Sequence, residues 1–76
     1  MVTITDFEIQ WREEFTRRLK ARIEELKVSQ RWVAIQSGLS QTEINKLVLG
    51  KSIPHATVLV RVARALAVDP GYLIDF

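Results

Sequence analysis

Apolar side chains recur at helical intervals through most of the chain. Phe7, Trp11, Phe15, Leu19 and Ile23 follow one another every four residues, and Leu26 extends the stripe three residues further. Steps of three and four put side chains on one face of a helix. Thr5 with Glu8 three residues on has the spacing of a capping box, so the first helix is predicted to start at Thr5. The stripe allows that helix to reach about Lys27 and equally allows a break near Glu13.

Beyond Lys27 the chain is punctuated by cap and turn residues. Ser29 reads as the cap of a second helix over about Gln30 to Ser37, which Gly38 ends by taking a positive φ. Ser40 caps a third helix, about Gln41 to Leu49, stopped by Gly50. Lys51-Ser52-Ile53-Pro54 is a loop, since the residue before proline is kept out of the helical region. A fourth helix is predicted from about Ala56 to Ala67, with Leu59, Val62, Ala63 and Leu66 facing inward. Asp69-Pro70 has the form of a cap followed by proline at the first helical position, opening a short fifth helix over about Pro70 to Ile74. The expected fold class is therefore all-α, with no strand.

Length and composition narrow what such a bundle can be. The 76 residues make one small domain, with 47% hydrophobic and 26% charged residues, as in ordinary globular proteins. There are no cysteines. That removes disulfides and thiolate metal sites and suits a reducing cytoplasm. No apolar run approaches the length of a membrane span, and the N-terminus lacks the basic-then-apolar pattern of a signal peptide. The net charge of +2 is unevenly spread. Residues 1–14 carry Asp6, Glu8, Glu13 and Glu14 against Arg12 alone, whereas residues 15–76 carry ten Lys/Arg against five Asp/Glu. An acidic leader precedes a basic body, and a basic body is the charge footprint of a nucleic-acid binder.

Catalytic chemistry finds no support. His55 is the only histidine, without a cysteine or second histidine to share a zinc ion. No phosphate-binding glycine loop is present. Glu13-Glu14 and Glu24-Glu25 are sequential and point in different directions on a helix. The expectation is no enzyme, no metal and no cofactor.

The most informative stretch runs from Ser29 to Lys51. Two short helices joined by Gly38-Leu39-Ser40 have the form of a helix-turn-helix. Ala34 is small enough for the two helices to approach, Gly38 makes the turn, and Ile44 is the apolar side chain that locks the third helix across the second. Val33 and Leu47 supply apolar neighbours. Burial of that face leaves Gln41, Thr42, Asn45 and Lys46 outward, side chains suited to base edges and phosphates. A solvated helix face is the plainer account of the same residues.

This pattern resembles the Cro/lambda-repressor-like helix-turn-helix family, the XRE-type transcriptional regulators. Ser29-Gln30, Ala34, Gly38-Leu39-Ser40, Ile44, Gly50-Lys51, Pro54, Leu59, Ala63, Leu66, Val68 and Leu73 fall in step with it, over about residues 15–76, with residues 1–14 a leader that extends the first helix or stands apart. The resemblance implies a five-helix domain with the helix-turn-helix at helices 2 and 3, the third helix entering the major groove of double-stranded DNA. By the same resemblance Gln30 contacts phosphate and buttresses the third helix. Gln41 and Thr42 are first base-reading positions, Lys46 is a later one and Lys51 is a phosphate contact. With Ser40 and Asn45 these make the expected DNA-binding set. The implied function is that of a sequence-specific regulator, a repressor, acting as a homodimer in the cytoplasm at the nucleoid. The rival expectation is a protein-interaction module or antitoxin on the same fold, whose partner is a toxin or other protein.

Several residues depart from the family pattern. Val48, beside Leu49, stands where many members have a glutamate that pairs with an arginine of the first helix. Ile23 is the expected partner position, so either an apolar pair replaces an ion pair or Val48 and Leu49 contribute to a protein-binding surface. Ser37 replaces an apolar residue, and Trp32 and Ile35 replace polar ones. The last two are expected to be covered by the leader or by a second subunit. Glu43 places a carboxylate on the recognition helix, which repels phosphate but can accept from cytosine N4. The expected dimer surface is the leader (Phe7, Trp11) or the C-terminal end (Tyr72, Leu73, Phe76).

Overall fold

A computed structural model describes residues 4–76, with side chains from Asp6 onward. The described residues form five helices and no strand: α1 (Ile4–Leu26), α2 (Gln30–Ser37), α3 (Gln41–Val48), α4 (Ala56–Ala65) and α5 (Pro70–Ile74). α1 is unbroken through Glu13. Its first residue precedes Thr5, whose side chain, like residues 1–3 of the leader, lies outside the described residues.

The α1 stripe builds one wall of the core. Phe15 and Leu19 are buried, and Trp11, Ile23 and Leu26 pack against the core from its edge. The opposite wall comes from Val33 and Ala34 of α2, Ile44, Leu47 and Val48 of α3, and Val62, Ala63 and Leu66 around α4, closed by Leu73 of α5. Leu59 is only half-buried at the rim of this core. Val48 and Ile23 both join the apolar cluster, so the departure from an ion pair is absorbed by packing. Ser37 is buried, but its hydroxyl donates to Ala34 O at 3.2 Å, so no polar group is stranded there.

α1 also braces the other helices at their ends. The last carbonyls of a helix lack intrahelical donors. Thr16 Oγ1 donates to Leu47 O of α3 at 3.1 Å, and Arg22 Nε to Leu66 O at the end of α4 at 3.0 Å. Arg18 Nη1 donates to Tyr72 O and Asp75 O at the end of α5. One helix thus supplies donors to three others.

Two helices stop earlier than their apolar periodicity predicts. α3 ends at Val48 with Leu49 as its cap, and α4 ends at Ala65 with Leu66 as its cap. Ala67 takes φ +57° and Lys27 takes φ +54°, left-handed positions filled without glycine. The tight turn after α4 is held by Ala67 N–H to Arg64 O and Val68 N–H to Ala63 O.

Candidate nucleic-acid interface

The helix-turn-helix is set by local bonds at both ends of each helix. Ser29 is extended and its hydroxyl accepts from the Trp32 N–H at 3.0 Å, which starts α2 with Gln30 as its first residue. Gly38 takes φ +73° and ends it, and Leu39 N–H returns to Ala34 O at 3.1 Å. Two residues later Ser40 opens α3 with a reciprocal capping box. Its Oγ accepts from Glu43 N–H at 3.1 Å, and Glu43 Oε1 accepts from Ser40 N–H at 3.2 Å. The direction of α3 is fixed from below by Ile44, which has no exposed surface, together with Leu47 and Val48.

With those three residues inward, Gln41, Thr42, Glu43, Asn45 and Lys46 are exposed on the outer side of α3. Gln30, Gln41, Thr42 and Asn45 line one open depression, so the start of α2 and the outer face of α3 meet in a patch of neutral amides and a hydroxyl. Lys46 follows Thr42 by one turn of α3 but does not line this depression. It borders a second depression with Glu43, Leu47 and the following loop, including Ser52, Pro54 and His55. Lys51 is exposed just past Gly50, and its N–H donates to Lys46 O at 2.9 Å, holding the loop against the end of α3. Gly50 takes φ +71°, and a Cβ there would lie 3.3 Å from Thr16 Oγ1.

Two predicted features change their meaning in this geometry. The Ser40 hydroxyl donates to Glu43 Oε1 at 3.1 Å as well as accepting from the Glu43 N–H, so it is engaged in the cap. Glu43 is turned back onto that cap. Conversely, the sequence pattern did not single out Ser52 or His55 as neighbours of Lys46. Their only signal was their place in the loop after Gly50, and the turn of that loop is a tertiary feature.

The described part of the leader does not cover the departures on α2. Ile35 is 66% exposed and Trp32 is 38% exposed. Trp11 instead stacks on Phe15 at 5.4 Å between ring centroids and meets Phe76 at 5.8 Å. Arg18 lies over the Phe76 ring at 4.9 Å. Leader and C-terminal end therefore form one aromatic clasp on the side of α1 facing α5.

The family model described as helix-turn-helix matches residues 19–73. The chain belongs to the Cro/lambda-repressor-like helix-turn-helix family. No curated protein and no solved structure matches it. The matched residues contain α2 to α4, nearly all of α5 and the second part of α1, so this is a helix-turn-helix domain of the DNA-binding, transcription-regulator kind. Phe7, Trp11, Phe15 and Phe76 all lie outside the match. Among the described residues no group of three His, Cys, Asp or Glu side chains could hold a metal ion, and no helix is long and apolar enough to cross a membrane.

Proposed function

We propose that the protein is a sequence-specific regulator, a repressor, that binds double-stranded DNA as a homodimer with α3 in the major groove. The observation that carries this reading is the meeting of half-buried Gln30 with exposed Gln41, Thr42 and Asn45 around one open depression, on a helix whose opposite face is buried. Amide side chains bond adenine N6 and N7 in a bidentate way, and a rigid helix presents them in fixed register. Gln41, Thr42 and Asn45 read base edges, with Lys46 one turn beyond Thr42. Gln30 at the start of α2 and Lys51 beyond α3 hold phosphates. Ser40 contributes by fixing the start of α3. Two half-sites about one turn of DNA apart match a two-fold dimer and raise affinity through the second contact.

The test separates reading from holding. Gln41→Ala is expected to weaken the preferred site by about 1–3 kcal/mol and to flatten discrimination at one base pair. Lys51→Ala is expected to weaken all sequences alike and to lower the salt slope by about one. Titrations against matched and mismatched sites at several salt concentrations measure both. Full discrimination by a folded Gln41→Ala protein would overturn the assignment of Gln41.

A second reading is an interaction module or antitoxin on the same fold, favoured by exposed Trp32 and Ile35 on α2 and by Leu49, which is 54% exposed. A gel shift against genomic fragments at low and moderate salt divides the two. Retention of no fragment at either salt favours the protein partner.

A further inference from the structure

We propose that two copies pair through antiparallel α1 helices, with Phe7 of each copy seated in the groove between α1 and α5 of the other. This names the face of the homodimer proposed above. Phe7 is 60% exposed although it belongs to the same stripe as buried Phe15 and Leu19. It lies one turn before Trp11, and the clasp of Trp11 and Phe76 continues the apolar surface toward α5. Phe76 and Tyr72 are themselves exposed. Beside them opens a groove of about 950 Å³ lined by Arg17, Arg18, Ala21, Val68, Tyr72 and Asp75, with the aliphatic stems and the tyrosine ring as its apolar part.

The charge pattern of α1 selects a second copy as the occupant. Residues 6–14 carry four acidic side chains and one basic, while residues 15–23 carry four basic side chains and no acidic one. An antiparallel two-fold places the acidic part of each helix along the basic part of the other, and parallel pairing would set like charges together. Glu13 and Arg17 are exposed one turn apart on α1. A two-fold axis on the solvent side of α1, at the level of residue 15, brings Glu13 of each copy to Arg17 of the other and carries Phe7 of each to the level of Ile23 of the other, at the end of the groove that Ala21 and Val68 line. The two copies then make the same contact twice.

The experiment is sedimentation equilibrium of the full chain without DNA, so its result is independent of the DNA titration. The wild type is expected to dimerise in the micromolar range, and Phe7→Ser to raise the dissociation constant at least tenfold while Phe7→Leu stays close to wild type. Glu13→Arg and Arg17→Glu are each expected to weaken the dimer by a similar factor, because each sets like charges opposite one another. An equimolar mixture of these two variants is expected to restore the affinity, since both cross-pairs again carry opposite charges. Circular dichroism confirms that each variant is folded. A wild type that remains monomeric at high micromolar concentration overturns the proposal. So does a folded Phe7→Ser protein that dimerises normally, or a mixture no tighter than its components.

Discussion

The α2–α3 pair and the first turns of α1 both present a helix face to solvent, but they are built in opposite ways. α2 and α3 have 8 residues each, bonded side-chain caps at their starts, and inward residues that are almost wholly buried. What α3 shows to solvent is mainly polar, and it is held in one orientation. α1 has 23 residues, about 34 Å of helix at about 1.5 Å per residue. That exceeds both short dimensions of the molecule, 22 and 21 Å, and approaches its long axis of 40 Å. Its apolar stripe runs past the partners available within one chain, so Phe7 is left outside. A rigid polar face suits the reading of base edges. An apolar face left over from a helix longer than its core suits contact with protein.

The largest effect that sharpens this contrast is expected at Ile44. Ile44→Ala removes a fully buried side chain from under α3, and such truncations cost about 2–5 kcal/mol. For a domain of this size that lowers the melting temperature by at least about 8 °C, which calorimetry would measure. At a protein concentration well below the dimer's dissociation constant, Phe7→Ser, on the exposed turn, is expected to change stability by no more than about 0.5 kcal/mol. Equal losses at the two sites would mean that the leader is packed in solution as firmly as the recognition helix.

Gly38 comes next. At φ +73° an L-residue costs about 1–2 kcal/mol in backbone conformation. A Cβ there would lie 3.4 Å from Arg61 Nη1, the far end of a flexible side chain. The cost of Gly38→Ala is therefore conformational rather than steric. Gly38→Asn is expected to recover part of it, because asparagine tolerates the left-handed region. Denaturant melts of both variants check the order, and a Gly38→Asn protein no better than Gly38→Ala would point to crowding at Arg61 instead.

These two regions also differ in how far they were legible in the sequence. Ser29, Gly38, Ser40 and Gly50 act within four or five residues of themselves, so the bounds of α2 matched expectation and those of α3 missed by one residue. The inward set of Ala34, Ile44 and Leu47 followed from the spacing of the helix-turn-helix itself, which is also local. The early end of α4 was hidden because its turn uses Ala67 rather than glycine, and Leu66 continues the apolar period into the turn. The fate of the leader was hidden because the stripe shows which face is apolar and not how long the core beneath it is. The bonds from Arg18 to Tyr72 and Asp75 span more than fifty positions and leave no local mark. Within the candidate site, the outward set of α3 was legible, whereas the split between the amide patch and Lys46 depends on how Gln30 and the 51–55 loop fold back.

The smallest effect is expected at Glu14, where the leader joins the body. Its carboxylate accepts from Arg17 Nε at 3.0 Å and Nη2, and from Arg18 Nε at 3.1 Å. These hydrogen bonds, Arg17 first and Arg18 second, lower its pKa from 4.5 to about 2. Because the folded value lies below the unfolded one, the unfolded chain takes up the proton first as the pH falls. The stabilisation from this group is complete above pH 4.5 and is lost progressively as the pH drops toward 2. The group is near the surface, so its share is modest and shrinks as salt is added. Glu14→Gln keeps the shape but cannot titrate, so its stability is expected to fall less steeply than the wild type's between pH 4.5 and 2, and the gap to narrow at high salt. The other carboxylates titrate in both proteins and cancel in the difference. Denaturant melts at intervals of pH measure that difference, and carboxyl NMR shifts of Glu14 give its titration directly. Parallel curves across the window would mean that Arg17 and Arg18 do not hold the carboxylate in solution. Arg18 would then bind the C-terminal end without support from Glu14, and apart from the continuous backbone of α1 the aromatic clasp would hold the leader to the body.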